Sequence, residues 1–133
     1  IISWFVSQKP DNYRIYPHIR VQHWGRCIIG INSASWVLYL LGYEFMFRGF
    51  LLFACIPELG LAWAIVVNTV LYSLAHATQG KREAIASAPI GVMMCLITIN
   101  TGSFWAAFLI HIIISQSNDY ISLYANPEMT FKK

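Results

Sequence analysis

Long apolar runs broken by short polar stretches set the pattern of this chain. Residues 7 to 26 are polar and basic, with Lys9, Arg14, Arg20 and Arg26 interleaved with Pro10 and Pro17. A run from about Asn32 to Ile56 follows, closed by Pro57 and Gly60. Three further runs cover about Leu61 to Ala77, Ala84 to Ile99 and Phe104 to Tyr124. They are separated by the polar stretches Gln79-Gly80-Lys81-Arg82-Glu83 and Asn100-Thr101-Gly102-Ser103, and residues 125 to 133 read as a polar tail. Each run is too long for a strand and recurs at helical spacing, which predicts four helices. On the first, Trp36, Tyr39, Tyr43 and Phe47 fall three or four apart, a packing stripe. On the third, Ala84, Ser87, Ala88 and Gly91 form a small-residue face suited to close helix approach, and Pro89 is expected to bend it.

Composition turns four helices into four membrane spans. Of the 133 residues 57% are hydrophobic and only 11% charged, whereas soluble domains carry roughly 25% charged residues. The mean hydropathy is +0.54. The predicted fold is an all-α, multi-span transmembrane helical bundle of about four spans, with an N-terminal basic interfacial segment. Residues 1–26 form that segment and 27–133 a single helical domain. Tyr13, Tyr16, His18, His23 and Trp24 suit an aromatic belt at the membrane surface. The opening Ile-Ile-Ser-Trp-Phe-Val reads as the tail of an earlier helix of a larger multi-span protein. A net charge of +3 is too small to argue for nucleic acid. Cys27, Cys55 and Cys95 are odd in number and without a CxxC spacing, so they are expected as core thiols.

Charge also gives an orientation. Eight of the nine Lys and Arg lie in the N-terminal segment, the 79–83 stretch and the C-terminal tail. Four spans would place those three on one side, and the positive-inside rule makes that side cytoplasmic. The ninth is Arg48, inside the first apolar run with Glu44 four residues before it. On a helix an acid and a base so spaced meet on one face. Charge within a membrane span is costly and marks a functional site by default.

Polar groups recur on two other helices. Asn68, Tyr72 and His76 form a stripe on the second, and His111, Ser115 and Asp119 on the fourth; Asp119, near the cytoplasmic end, reads as solvated. Such faces should turn inward. A carboxylate beside an imidazole, Glu44 with His76, can take a proton from water and return it to a leaving amine. A second imidazole with a neutral donor, His111 with Ser115, can stabilise the oxyanion. Zinc is the competing chemistry, since His76, His111 and Glu44 are ligand types. The HExxH pattern is missing and no two candidate ligands neighbour each other on one helix, so a metal-free site ranks first. At 1.5 Å per residue from the non-cytoplasmic end, Glu44 and His76 lie roughly 20 and 24 Å deep and His111 roughly 10 Å. His111 joins the others only if the 100–103 turn sinks into the membrane or the third helix is short.

With Glu44-Phe-Met-Phe-Arg48-Gly49, Tyr72-Ser-Leu-Ala-His76 and Leu109-Ile-His111-Ile-Ile-Ile-Ser115, the chain resembles the CPBP family over about residues 20 to 125. These are the CAAX-processing and bacteriocin-processing intramembrane endopeptidases, also called the ABI family, whose motifs EExxxRG, FxxxH and HxxxN (or Asp) follow in this order. The resemblance implies that a motif glutamate and His76 activate water, that Arg48 braces the glutamates, and that His111 with the residue at position 115 forms the oxyanion site. The chain departs at three positions. Tyr43 stands where the leading glutamate belongs, so Glu44 matches the second; Tyr72 replaces Phe; Ser115 replaces Asn. Glu83 is a further carboxylate just past His76.

The expected function is therefore a multi-pass membrane endopeptidase of the CAAX-protease type, using a water activated by Glu44 and His76, without a cofactor. Its expected partners are the lipid bilayer and a peptide or protein substrate, with a lipidated C-terminus or a bacteriocin-like peptide as candidates. Two readings compete: a silent relative acting as an immunity or scaffold protein, favoured by Tyr43, and a small-ligand or ion-handling membrane protein, favoured by the polar stripes.

Overall fold

The computed structural model describes residues 17, 19 and 21–131. The expected belt residues Tyr13, Tyr16 and His18, and the opening apolar stretch, lie outside the described residues. In chain order the elements are β1 (His23–Trp24), α1 (Arg26–Glu44), a π-helical segment (Phe45–Leu51), α2 (Leu52–Leu59), α3 (Leu61–His76), a 3₁₀ turn (Ala77–Gln79), α4 (Lys81–Thr101), α5 (Trp105–Ala125) and β2 (Thr130–Phe131).

The first predicted helix is an unbroken helical stretch from Arg26 to Leu59, 34 residues long. Pro57 does not end it. It sits in the last turn of α2, and the helix stops two residues later, where Gly60 takes φ 77° and donates its N–H to the Ile56 carbonyl. One lost backbone bond is tolerable that close to an end, whereas positive φ breaks the helix outright. The 79–83 stretch is only partly a loop. Gly80, at φ 116°, starts α4, and Lys81, Arg82 and Glu83 form its first turn. An acidic residue there is favoured by the helix macrodipole. Helix α4 has 21 residues, so a short third helix is not the way His111 gains depth.

Three helical stretches are long and apolar enough to cross a membrane: Arg26–Leu59, Leu61–Gln79 and Lys81–Thr101. Helix α5, whose apolar run is interrupted by Gln116, Asn118 and Asp119, is not among these three. Outer faces are apolar: Trp63 on α3 is 65% exposed and Ile85 on α4 is 76% exposed. Large apolar residues turned outward along whole helices belong in lipid rather than water.

Residues form two compact units, Ile1–Tyr39 with His111–Lys133, and Leu40–Ile110. In the first, polar side chains tie distant segments. Asn32 donates to the Asp119 carboxylate at 2.7 Å, Gln116 donates to the Ser33 carbonyl at 3.2 Å, and Ser33 bonds the Tyr120 hydroxyl. Asp119 is thus buried, 1% exposed, rather than solvated. The residues after 125 are not wholly a tail: β2 pairs in parallel with β1, His23 opposite Thr130 and Trp24 opposite Phe131. Thr130 donates its N–H to the Gln22 carbonyl at 2.8 Å. Trp24, expected in the belt, is fully buried, its indole N–H given to the Val21 carbonyl.

In the second unit, Leu52, Ala64 and Cys95 make an apolar core with Cys55, Ile56, Ile65 and Ile99 against it. Cys95 is a buried thiol as expected, Cys55 is half-buried, and Cys27, in the other unit, is exposed. The small-residue face of α4 does approach α3 closely. A Cβ at Gly91 would lie 3.1 Å from Tyr72 Cδ1 and 3.3 Å from Thr69 Cγ2, whereas one at Gly42 would meet nothing within 4 Å. Gly91→Val is therefore expected to cost about 1–3 kcal/mol through overpacking, while Gly42→Ala stabilises by up to about 1 kcal/mol through helix propensity. Thermal unfolding of the detergent-solubilised protein should place the two variants on opposite sides of the wild type.

Candidate active site

The Arg26–Leu59 stretch carries its charges inside the Leu40–Ile110 unit. Glu44 and Arg48 are both completely buried. Arg48 Nη1 lies 3.2 Å from Glu44 Oε1 and 3.1 Å from Oε2. The guanidinium carbon sits 4.0 Å from the centroid of the Tyr72 ring and 5.8 Å from that of Phe47. Among the described residues Arg48 Nε and Nη2 have no hydrogen-bond partner, so the ring face carries part of their stabilisation.

The π-helical segment begins directly after Glu44, and the sequence accounts for it. Leu40, Glu44, Arg48 and Leu52 are buried and Ile56 packs on the core, a strict four-residue spacing. On an α-helix each step of four drifts by about 40°, so five such positions spread over about 160°. One turn closed by i→i+5 bonds absorbs roughly one residue and brings them back to one face. The N–H of Leu52 accordingly donates to the Phe47 carbonyl. Asn68, fully buried on α3, donates its side-chain amide to that same carbonyl at 2.6 Å. The Cys95 thiol donates to Asn68 Oδ1 at 3.2 Å.

Tyr43, one residue before Glu44, faces a different neighbour. Its hydroxyl is 3.4 Å from His76 Nδ1. Tyr43, Phe47, Tyr72 and His76 form an aromatic cluster, with the Tyr43 and Phe47 centroids 4.6 Å apart and those of Tyr72 and His76 4.4 Å apart. His76 Nδ1 is 2.9 Å from the Tyr72 carbonyl. A carbonyl only accepts, so Nδ1 is the donor in this bond and carries a proton. His76 is half-buried at the end of α3.

The structure thus brings Tyr43, Glu44, Arg48 and His76 together in one unit, and adds Asn68, Tyr72 and Cys95. The position where the CPBP pattern has its leading glutamate is the one beside His76, and it holds Tyr43; Glu44 is turned to Arg48. Glu83, half-buried in the first turn of α4, lies one short connection after His76. His111 and Ser115, on α5, belong to the other unit, where His111 is buried and Ser115 half-buried. Among the described residues no three His, Cys, Asp or Glu come together to hold a metal ion. Sequence reading had Asn68 only as part of a polar stripe. Its link to the π-turn goes with the four-residue spacing of the buried positions, which emerges only once burial is known.

Separating the ion pair should be costly. Arg48→Met removes the guanidinium from a buried carboxylate and is expected to destabilise by about 3–5 kcal/mol. Glu44→Gln with Arg48→Met should destabilise less than Arg48→Met alone. A double-mutant cycle on denaturant unfolding in mixed micelles measures the difference.

A model of one protein family, described as type II CAAX prenyl endopeptidase Rce1-like, matches residues 28–116. Neither a search among curated proteins nor one among solved structures finds a match. The matched stretch covers more than half of the 133 residues and contains the segments 44–49, 72–76 and 109–115 on which the CPBP resemblance rests. With three apolar membrane-length helices and a buried Glu-Arg pair in the first of them, the chain belongs to the type II CAAX prenyl endopeptidase Rce1-like family of helical intramembrane proteases.

Proposed function

We propose that the protein is a CAAX-protease-like endopeptidase of the cell membrane that hydrolyses peptide bonds with a water activated at His76. The observation that carries this reading is the hydrogen bond from His76 Nδ1 to the Tyr72 carbonyl at 2.9 Å, which orients the half-buried ring. Nε2 takes a proton from water as the water oxygen bonds to the scissile carbonyl carbon. The imidazolium then gives that proton to the leaving nitrogen as the C–N bond breaks. Glu44 acts through Arg48: the ion pair sets the Tyr72 ring, and that ring and the Tyr43 hydroxyl flank the imidazole. The substrate is a peptide whose C-terminus carries a lipid, drawn from the bilayer. Lys81 and Arg82 follow His76 by a few residues, which puts the catalytic end of α3 on the cytoplasmic side under the positive-inside rule.

One observation favours a second reading. Tyr43 occupies the place beside His76 where the CPBP motif has a carboxylate, as expected for a catalytically silent relative with a scaffold or immunity role.

The test uses the purified full-length protein in nanodiscs and an internally quenched, farnesylated peptide ending in a CAAX sequence. Wild type is expected to cleave it, and His76→Ala to lose about 10²–10⁴-fold in kcat, the usual worth of a general base. Tyr43→Phe should lose less than about tenfold, since only a flanking contact is removed. Chelation with phenanthroline should leave the rate unchanged. Glu83→Gln, run in parallel, reports whether the acid in the first turn of α4 shares the work. If wild type is inert across lipidated and unlipidated peptides while Tyr43→Glu cleaves, the silent reading replaces this one.

A further inference from the structure

We infer that Asn68 is a positioning residue, which holds the π-turn open and so keeps Arg48 set between Glu44 and Tyr72. The inference rests on the hydrolytic reading for its effect on rate, but not for its structural content.

A π-turn is a rare conformation and tends to persist where something outside the helix over-determines it. Here the Phe47 carbonyl, which accepts the Leu52 N–H across the turn, receives a second donor from Asn68 Nδ2 at 2.6 Å. Asn68 is 0% exposed, and an unbonded amide at such a buried position would be costly. Its other end is satisfied by the Cys95 thiol at 3.2 Å. The one side chain therefore ties the π-helical segment, α3 and α4 together at the peptide immediately before Arg48. If the turn relaxed to α, every residue after it would rotate by about 100° relative to Glu44. Arg48 over Tyr72 and Leu52 in the core with Ala64 and Cys95 could then no longer both be kept. With the turn held, the guanidinium stays on the ring that packs 4.4 Å from the His76 ring.

The test exploits a sequence accident: Phe47-Arg48 is the only Phe-Arg step in the chain. Labelling with carbonyl-¹³C phenylalanine and ¹⁵N arginine gives one carbonyl-edited amide signal, that of Phe47 and Arg48, in the micelle-embedded full-length protein. The Arg48 side-chain Nε–H signal, identified by its loss in Arg48→Lys, reports the guanidinium. In Asn68→Leu the Phe47 carbonyl signal should move upfield and the Arg48 Nε–H signal should shift. Asn68→Gln, which keeps the amide donor, should return both toward wild type. In the cleavage assay Asn68→Leu should lower kcat at least tenfold with KM within twofold, and Asn68→Gln should recover most of the loss. A folded Asn68→Leu with both signals unmoved overturns the inference. So does a moved carbonyl signal with an unmoved Nε–H, and so does an unchanged kcat in an enzyme whose signals have both moved. If Asn68→Leu does not fold, Asn68→Asp, of the same shape, is read by the same signals. An inert wild type counts against the hydrolytic reading alone, because the two signals still decide whether Asn68 holds the turn.

Discussion

Everything in the Leu40–Ile110 unit is arranged around a carboxylate and a guanidinium that cannot reach water. Each ion, taken alone, would be costly to keep among apolar side chains, and their mutual attraction offsets that cost only if geometry is held closely. Several features supply that geometry. Two 3.1–3.2 Å contacts join Arg48 Nη1 to the carboxylate, a tyrosine ring lies under the cation, and a widened turn keeps the helix in register on both sides. Gly91 is part of the same arrangement, because the ring that carries Arg48 has room only where α4 presents no side chain.

Much of the fold could be read in the chain. Four apolar runs became four helices with ends displaced by a few residues, and the small-residue face of α4 packs where the pattern put it. What was missed had physical reasons. Pro57 looks like a terminator, but proline in a final turn removes a single bond. Trp24 and Asp119 look like surface residues because their partners, Phe131 and Asn32, are about a hundred positions away, and no local pattern reports such pairing. The polar second half of α5 is absorbed by buried hydrogen bonds to the first helix segment, which hydropathy alone cannot foresee.

The candidate site was legible in its members and not in its pairings. Glu44 and Arg48 at four-residue spacing gave the ion pair directly. Tyr43 lies beside the imidazole and Glu44 pairs with Arg48, a distinction that residue types along the chain do not report. A one-residue difference along a helix is a change of about 100° in direction, so neighbouring residues end in separate environments. The regular interval of buried positions from Leu40 to Ile56 goes with the π-turn and emerges only once burial is known. A period of four does not match 3.6 residues per turn, and the helix had to widen to satisfy it.

The two units also differ in how they can come into being. The Leu40–Ile110 unit is a continuous stretch whose helices meet their chain neighbours, so its contacts become available as soon as it has been synthesised. The other unit joins His23 to Thr130 and Asn32 to Asp119, pairings that do not exist until α5 and β2 have left the ribosome. Non-local closure of this kind is slow and comes late. Until then Trp24 and the Asn32 amide have no burial to enter. The segment around Trp24 and Asn32 therefore waits, unfinished, through the synthesis of everything between.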